Sequence, residues 1–160
     1  MARISIAVLA LAGAVAACQT VERELTEEQQ LALIDTLMGV QRDLFNAAKA
    51  ADADAVIAFF DGDAGVVIGT EVIPYPTFVR QVRDSYAEID GQAASWHPAK
   101  VSVISRDVVA LTLAGRVAAI VAGDTSAAVP VAWTEVLVRT DSGWKVLHAH
   151  QSMGSPAAGR

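Results

Sequence analysis

The spacing of apolar and polar positions changes along the chain, and each change marks an element. The chain opens on an apolar run from Ile4 to Leu11, extended through Gly13, Ala14 and Val15. With Arg3 before it and Ala16-Ala17 after it, the run has the layout of a secretory signal and is too short to span a membrane as a helix. Thr26-Glu27-Glu28-Gln29 has the form of a capping box. From there to about Ala50, residues Leu31, Ile34, Met38, Phe45 and Ala48 fall near helical spacing, with Leu37 and Leu44 widening the stripe. That spacing predicts a long helix laid on a core. Asp52 is placed to cap a second, short helix running through Phe60, in which Val56, Phe59 and Phe60 bury. Asp61-Gly62-Asp63 reads as a turn, and the twelve-residue ligand spread of a calcium loop does not follow it. Ala64 to Ile68 reads as a short strand, and Gly69 to Pro76 as irregular. A third helix is predicted from about Thr77 to Ile89, with Phe78, Val82 and Tyr86 at helical spacing and Asp90-Gly91 ending it.

Beyond Gly91 the period drops to two. Strands are expected at about Gln92 to Ile104, Val108 to Ala122, Ala127 to Thr140 and Trp144 to Ser152. Ser105-Arg106-Asp107, Gly123-Asp124-Thr125 and Asp141-Ser142-Gly143 are the connecting turns, and successive hairpins make the sheet antiparallel. Residues 153–160 read as a loose tail. Helices followed by long meandering strands predict an α+β domain, with helices on one face of a curved antiparallel sheet.

Side chains alternate along a strand. On the last strand this places Trp144, Val146, His148, His150 and Ser152 on one face, and Lys145, Leu147, Ala149 and Gln151 on the other. A three-residue Asp141-Ser142-Gly143 loop pairs Thr140 with Trp144, Glu135 with Ala149 and Trp133 with Gln151. Trp133, Glu135 and Gln151 would then point toward the helices, and the two histidines away. A loop one residue different would set Glu135 against His148. The turn chemistry favours the first register.

The chain has 160 residues, with 12 basic and 18 acidic side chains and a formal net charge of −6. That length suits one domain. The acidic balance argues against nucleic acid and against anionic head groups as partners. Cys18 is the only cysteine, so disulfides and thiolate chemistry within the domain are excluded. No Gly-rich phosphate loop, Ser/His/Asp order or CxxC occurs, and no cofactor is implied.

Two resemblances add to this reading. Val15-Ala16-Ala17-Cys18 resembles the lipobox of bacterial lipoproteins. The resemblance implies a signal peptide over 1–17, a lipidated Cys18 and a tether through residue 25. It places the protein in the cell envelope, held to the membrane by its lipid alone. Gln19 stands where an aspartate would retain an enterobacterial lipoprotein at the inner membrane, so the periplasmic face of the outer membrane is expected. Within residues 26–152, Ala47-Ala48-Lys49-Ala50-Ala51-Asp52-Ala53-Asp54-Ala55 ahead of Phe59-Phe60-Asp61, and Trp144-Lys145-Val146-Leu147-His148-Ala149-His150-Gln151-Ser152, resemble the NTF2-like, or cystatin-like, cone and its SnoaL-like and DUF4440-type members. The association domain of calmodulin-dependent kinase II is similar. In that domain the positions of Glu135 and Gln151 carry arginines; here one is acidic and one neutral, which suits a neutral or cationic ligand better than a carboxylate.

The fold that the resemblance implies hosts enzymes and plain binding modules alike. One reading is a small-molecule-binding or dimerising module in which Trp133, Glu135, Gln151 and Tyr86 meet a ligand. It is preferred, because polar groups in pockets more often bind than catalyse. A second is a SnoaL-like enzyme in which Glu135 or His97 moves protons, with Asp61, Tyr75 and Tyr86 as helpers. A third puts a metal on His148 and His150, for which no third ligand is evident; no metal is expected. The plain reading of those histidines is the contact face of a homodimer. His97, between Trp96 and Pro98, reads more simply as part of a strand bulge with Trp96 packing. Arg116 is either a partner for Glu135 or a solvated side chain.

Overall fold

The computed structural model describes residues 25–155; the signal segment, Cys18, most of the tether and the last five residues lie outside the described residues. Three helices precede most of the sheet: α1 (Glu27–Lys49), α2 (Ala53–Ile57) and α3 (Tyr75–Ala87). The strands are β1 (Phe60–Ile68), β2 (Glu71–Ile73), β3 (Gly91–Trp96), β4 (Lys100–Ser105), β5 (Val108–Val121), β6 (Asp124–Thr125), β7 (Val129–Thr140) and β8 (Gly143–Met153). They form one sheet in the order β2-β1-β8-β7-β5-β3, with β4 and β6 also paired to β5. The helices cover one face of this curved sheet, so the molecule is α+β.

Local chemistry places the helix ends. Thr26 accepts from the Gln29 backbone N–H, and the Gln29 side chain accepts from the Thr26 N–H, a complete capping box. Asp52 caps α2 through the Ala55 N–H at 2.9 Å. Between them α1 ends in a Schellman motif: Asp52 N–H donates to Ala47 O, Ala51 N–H donates to Ala48 O, and Ala51 is left-handed at φ 52°.

The apolar stripe of α1 is rotated from the expected one. Leu33, Leu37, Gln41 and Leu44 are buried, whereas Leu31 is 60% and Met38 37% exposed. Leu33, Leu37 and Leu44 join Val109, Leu111, Leu137, Val146 and Ala149 of the sheet in the core. α2 stops at Ile57, short of Phe60, which instead starts β1. The Asp61-Gly62-Asp63 turn is not formed. The chain runs on through β1, and its pairing with β8 is irregular between Phe60 and Gly65. Asp61 Oδ1 accepts from the Asp63 N–H there. The supposedly irregular stretch after Gly69 contains β2, a partner for the edge of β1. The strand expected over Gln92 to Ile104 is split into β3 and β4, because Pro98 cannot donate to the ladder.

The sheet is not wholly antiparallel. β1 pairs with β8 in parallel, Gly65 facing His148 and Val67 facing His150. Hairpin logic sees only strands adjacent in sequence, and these two come from opposite ends of the domain. β8 runs one residue further than expected, to Met153. Its hairpin with β7 also differs. The loop holds two residues, Asp141 and Ser142, with Thr140 facing Gly143 at φ 104°. Further along, Leu147 bulges out between the pairs Leu137–Val146 and Val136–His148. The shorter loop and the bulge offset one another, so Glu135 still faces Ala149 and Trp133 faces Gln151. The bulge breaks strict alternation: Val146 turns inward with Ala149, away from the face of His148 and His150.

Candidate functional site

Strand β7 turns Val131, Trp133, Glu135 and Leu137 toward the helices. Three of these are unremarkable in a core; Glu135, with no exposed surface, is not. It meets α1, where Gln41 stands one turn beyond Leu37 and is itself 1% exposed. Gln41 Nε2 donates to Glu135 Oε1. Trp133 Nε1 donates to Glu135 Oε2 at 2.7 Å. Burial pushes the Glu135 carboxyl up to about 7, against the hydrogen bonds from Trp133 and Gln41, which pull it down. A carboxyl poised there can hold a proton or release it near neutral pH.

Aromatic rings surround the pair. Trp133 meets Phe60 edge-on with centroids 6.5 Å apart; Phe60 lies 4.7 Å from Phe78, and Phe78 lies 6.2 Å from Tyr75. Farther along α1, Phe45 stacks on Trp96 of β3 at 4.9 Å and nearly parallel. Beside this stack, α1 and β3 bound a groove of about 310 Å³ lined by Phe45, Asn46, Ala48, Lys49, Gln92, Ala93, Ala94 and Trp96. A larger groove, about 560 Å³, lies at the other end of α1 beside Arg106, Asp107 and Arg139. Glu135 lines neither. Among the described residues two buried side-chain polar atoms have no hydrogen-bond partner: Gln41 Oε1 and Trp96 Nε1.

The site residues expected from sequence fall into separate places. Trp133, Glu135 and Gln151 share the helix-covered face, since residues opposite one another on antiparallel strands project together. Gln151 is half-buried at its edge. Tyr86 lies on α3 against Gln92; burial raises its hydroxyl, and the hydrogen bond with Gln92 opposes that shift. Tyr75 is raised by burial and by the Asp61 charge, so those two sit together at the mouth of β1. His97 is exposed; its backbone N–H donates to Ala114 O, and Trp96 packs inward beside it, as a bulge requires. Arg116 is exposed and donates to Ala128 O, so it is no partner for Glu135. His148 and His150 are exposed on the opposite face. His148 packs over Gly65, where any Cβ would come within 2.9 Å of Nδ1, and His150 Nε2 lies 3.1 Å from Gly69 O. Among the described residues no three His, Cys, Asp or Glu side chains converge as metal ligands do.

Sequence reasoning missed Gln41. The signal is present in the chain: Leu33, Leu37, Gln41 and Leu44 are spaced four, four and three apart, a helical stripe with one amide in it.

The sequence matches the family described as the SnoaL-like domain over residues 37–156. The chain belongs to the SnoaL-like domain family. No curated protein matches it. Solved NTF2-like structures share its fold. A candidate scytalone dehydratase from Novosphingobium aromaticivorans superposes with a TM-score of 0.71 at 9% identity, covering 84% of this chain and 94% of that one. A candidate dehydratase of the NTF2-like family from Streptomyces avermitilis gives 0.65 at 17% identity, over 76% and 95%. A candidate aromatic ring hydroxylase from Novosphingobium aromaticivorans gives 0.65 at 18%, over 86% and 96%. At such identities the likeness is one of fold. It places this SnoaL-like domain in a known architecture without transferring an activity to it.

Proposed function

We propose that this protein is a lipid-anchored component of the bacterial envelope whose SnoaL-like domain binds a small neutral or cationic molecule, with Glu135 as the buried polar anchor. One observation carries the reading: a carboxyl with no exposed surface, held by one amide and one indole. Burying an ionisable group without an opposite charge costs stability. A chain that keeps one inside a largely apolar core has a use for it. Protonated, Glu135 donates to a neutral ligand; ionised, it favours a cation. The test is a thermal-shift screen of small neutral and cationic compounds on the wild-type domain and on Glu135→Gln. Compounds that stabilise the first and not the second support the reading. A hit list unchanged by the substitution would count against it.

Acid–base catalysis is the second reading, favoured by the rise of the Glu135 carboxyl to about 7. Two solved structures of the same fold are described as candidate dehydratases, so dehydration is the reaction class to try first. In that case Glu135→Gln abolishes turnover while leaving binding measurable.

The address rests on Val15-Ala16-Ala17-Cys18. Mass spectrometry of the native N-terminus is expected to find a lipidated Cys18, and Cys18→Ser to release the protein from the outer-membrane fraction. An unmodified thiol at Cys18 would overturn the anchor. The exposed sheet face around His148 and His150 is the proposed contact of a twofold homodimer.

A further inference from the structure

Gln41 and Glu135 are the only polar or charged side chains buried among the described residues, and they bond each other. The donors and acceptors around them do not balance. Trp133 Nε1 donates to Glu135 Oε2 at 2.7 Å, and an indole N–H can only donate. Gln41 Nε2 donates to Glu135 Oε1, while Gln41 Oε1 has neither a donor nor solvent. This arrangement fits an ionised carboxyl, whose oxygens only accept. It does not fit a protonated one. The partner of Oε2 is the Trp133 indole, which cannot accept a proton there. A proton on Oε1 would meet the Gln41 N–H, donor against donor. The unpaired Gln41 oxygen, at the other end of the same amide, is the acceptor that such a proton needs.

We propose that the Gln41 amide turns over when Glu135 takes up a proton, so that the Gln41 oxygen accepts from the Glu135 hydroxyl. The turn is half a rotation about the last side-chain torsion, which is broad and roughly two-fold. An unpaired buried polar atom is costly, but that cost passes from the amide oxygen to the amide nitrogen and largely cancels. The contact with Glu135 then decides the orientation. The link between α1 and β7 persists in both states with its direction reversed. This switch rests on Glu135 as the ligand's anchor and supplies the regulation of that site. Gln41 holds the proton that a neutral ligand would take over, and gives the carboxylate a donor until a cation replaces it. Burial lifts the Glu135 carboxyl to about 7, so both states are reached near neutral pH. Among the described residues no other charge is buried with it. Leu111 of β5 and Ala149 of β8 face Glu135 across the ladders, and Leu37 lies beside Gln41 on α1. Phe78 of α3, Val56 of α2 and Val66 of β1 complete an apolar core. Tyr75 and Tyr86 are the titratable side chains packed against that core. Burial raises both from 10.0, with the Asp61 charge adding to the shift of Tyr75, so both stay neutral where Glu135 titrates.

The test is a titration of the ¹³C,¹⁵N-labelled protein from pH 5 to pH 9, following the Glu135 carboxyl carbon and the Gln41 side-chain NH₂ group by NMR. Both are assigned through bonds in the wild type, so this measurement does not depend on a variant that folds. At pH 9 one Gln41 amide proton is expected downfield, as a donor to a carboxylate. As pH falls through the Glu135 midpoint, that proton returns to the range of unbonded amides, with the same midpoint as the carboxyl carbon. The Trp133 indole proton stays hydrogen-bonded throughout. In Glu135→Gln the introduced amide accepts from Trp133 and donates to the Gln41 oxygen, so the Gln41 signals match the low-pH wild type at every pH. A Gln41 proton that stays downfield at pH 5 while Glu135 titrates would overturn the switch. So would a Glu135 carbon that is constant across the range, or Gln41 signals in Glu135→Gln that match the wild type at pH 9. The switch and the anchor fail separately. Compounds whose binding is lost in Glu135→Gln, together with a Gln41 amide that never turns, keep the anchor and discard the switch. A turning amide, together with a hit list that Glu135→Gln leaves unchanged, does the reverse.

Discussion

Glu135 makes the stability of the domain depend on pH. Its carboxyl is raised in the folded state from 4.5 to about 7 by burial. Both folded and unfolded chains are protonated below 4.5, so the folded state has its full relative stability there. As pH rises toward 7, the unfolded chain gives up its proton more readily, and stability is lost until the folded pKa is passed. For a group this deeply buried the loss is on the order of 3 kcal/mol. Glu135→Gln is uncharged throughout and can still accept from Trp133 while donating to Gln41. Denaturation at pH 5 and pH 8 is expected to find the variant close to wild type at the first and more stable at the second. A wild-type domain with the same midpoint at both values would show that Glu135 ionises freely in the fold. That Glu135 lies inside was legible from the period of β7; the expected three-residue hairpin reaches the same pairing only because the Leu147 bulge offsets a loop one residue shorter. That Gln41 meets it was not, because the stripe on α1 was centred on the wrong residues.

Helix α1 shows how an element can be predicted correctly and oriented wrongly. Leu31 and Leu37 both lay in the expected stripe, but Leu37 has no exposed surface and Leu31 is 60% exposed. Leu37→Ala is expected to cost about 2–5 kcal/mol through the lost burial and the cavity it leaves. Leu31→Ala should change stability by less than about 0.5 kcal/mol. Chemical denaturation of the two variants checks the phase of the helix directly. The end of α1 offers the opposite case. Ala51 holds the left-handed position that closes the Schellman motif, where a Cβ costs roughly 1–2 kcal/mol. Ala51→Gly is expected to raise the melting temperature by a few degrees, the gain being partly offset by the greater freedom of glycine when unfolded. A lower melting temperature would mean that the Ala51 methyl packs usefully.

At the scale of the whole molecule, the helices cover one face of the sheet and, among the described residues, leave the other bare. Thr112 and Thr134 stand there with hydroxyls 3.4 Å apart, beside His148 and His150. This exposed face of small and polar side chains is the proposed contact with a second copy across a twofold axis. Sedimentation at tens of micromolar, the range for moderate interfaces, is expected to find a dimer. Thr134→Arg, on this face and exposed, should give a folded monomer. A wild-type monomer under those conditions would leave the face without this partner.

The chain by itself determined the α+β class, the caps of α1 and α2 and the inward row of β7, because caps and side-chain periods depend on residues close in sequence; the Asp61-Gly62-Asp63 turn did not form, and Asp124 and Thr125 of another expected turn are strand β6. It also carried the family, in the alternating terminal strand and the Ala/Asp-rich helix turn. Only the tertiary structure decided the parallel seam between β1 and β8, the bulge at Leu147 and the facing of α1 that brings Gln41 over Glu135. Each depends on which distant surface a segment packs against. A helix with leucines on several sides can roll by tens of degrees at little local cost, and packing against the sheet selects one angle. A strand accepts one extra residue wherever its neighbour's side chains require it. The ionisation of Glu135 follows from the same cause, since a carboxyl near neutrality is a property of its surroundings and no local pattern contains them.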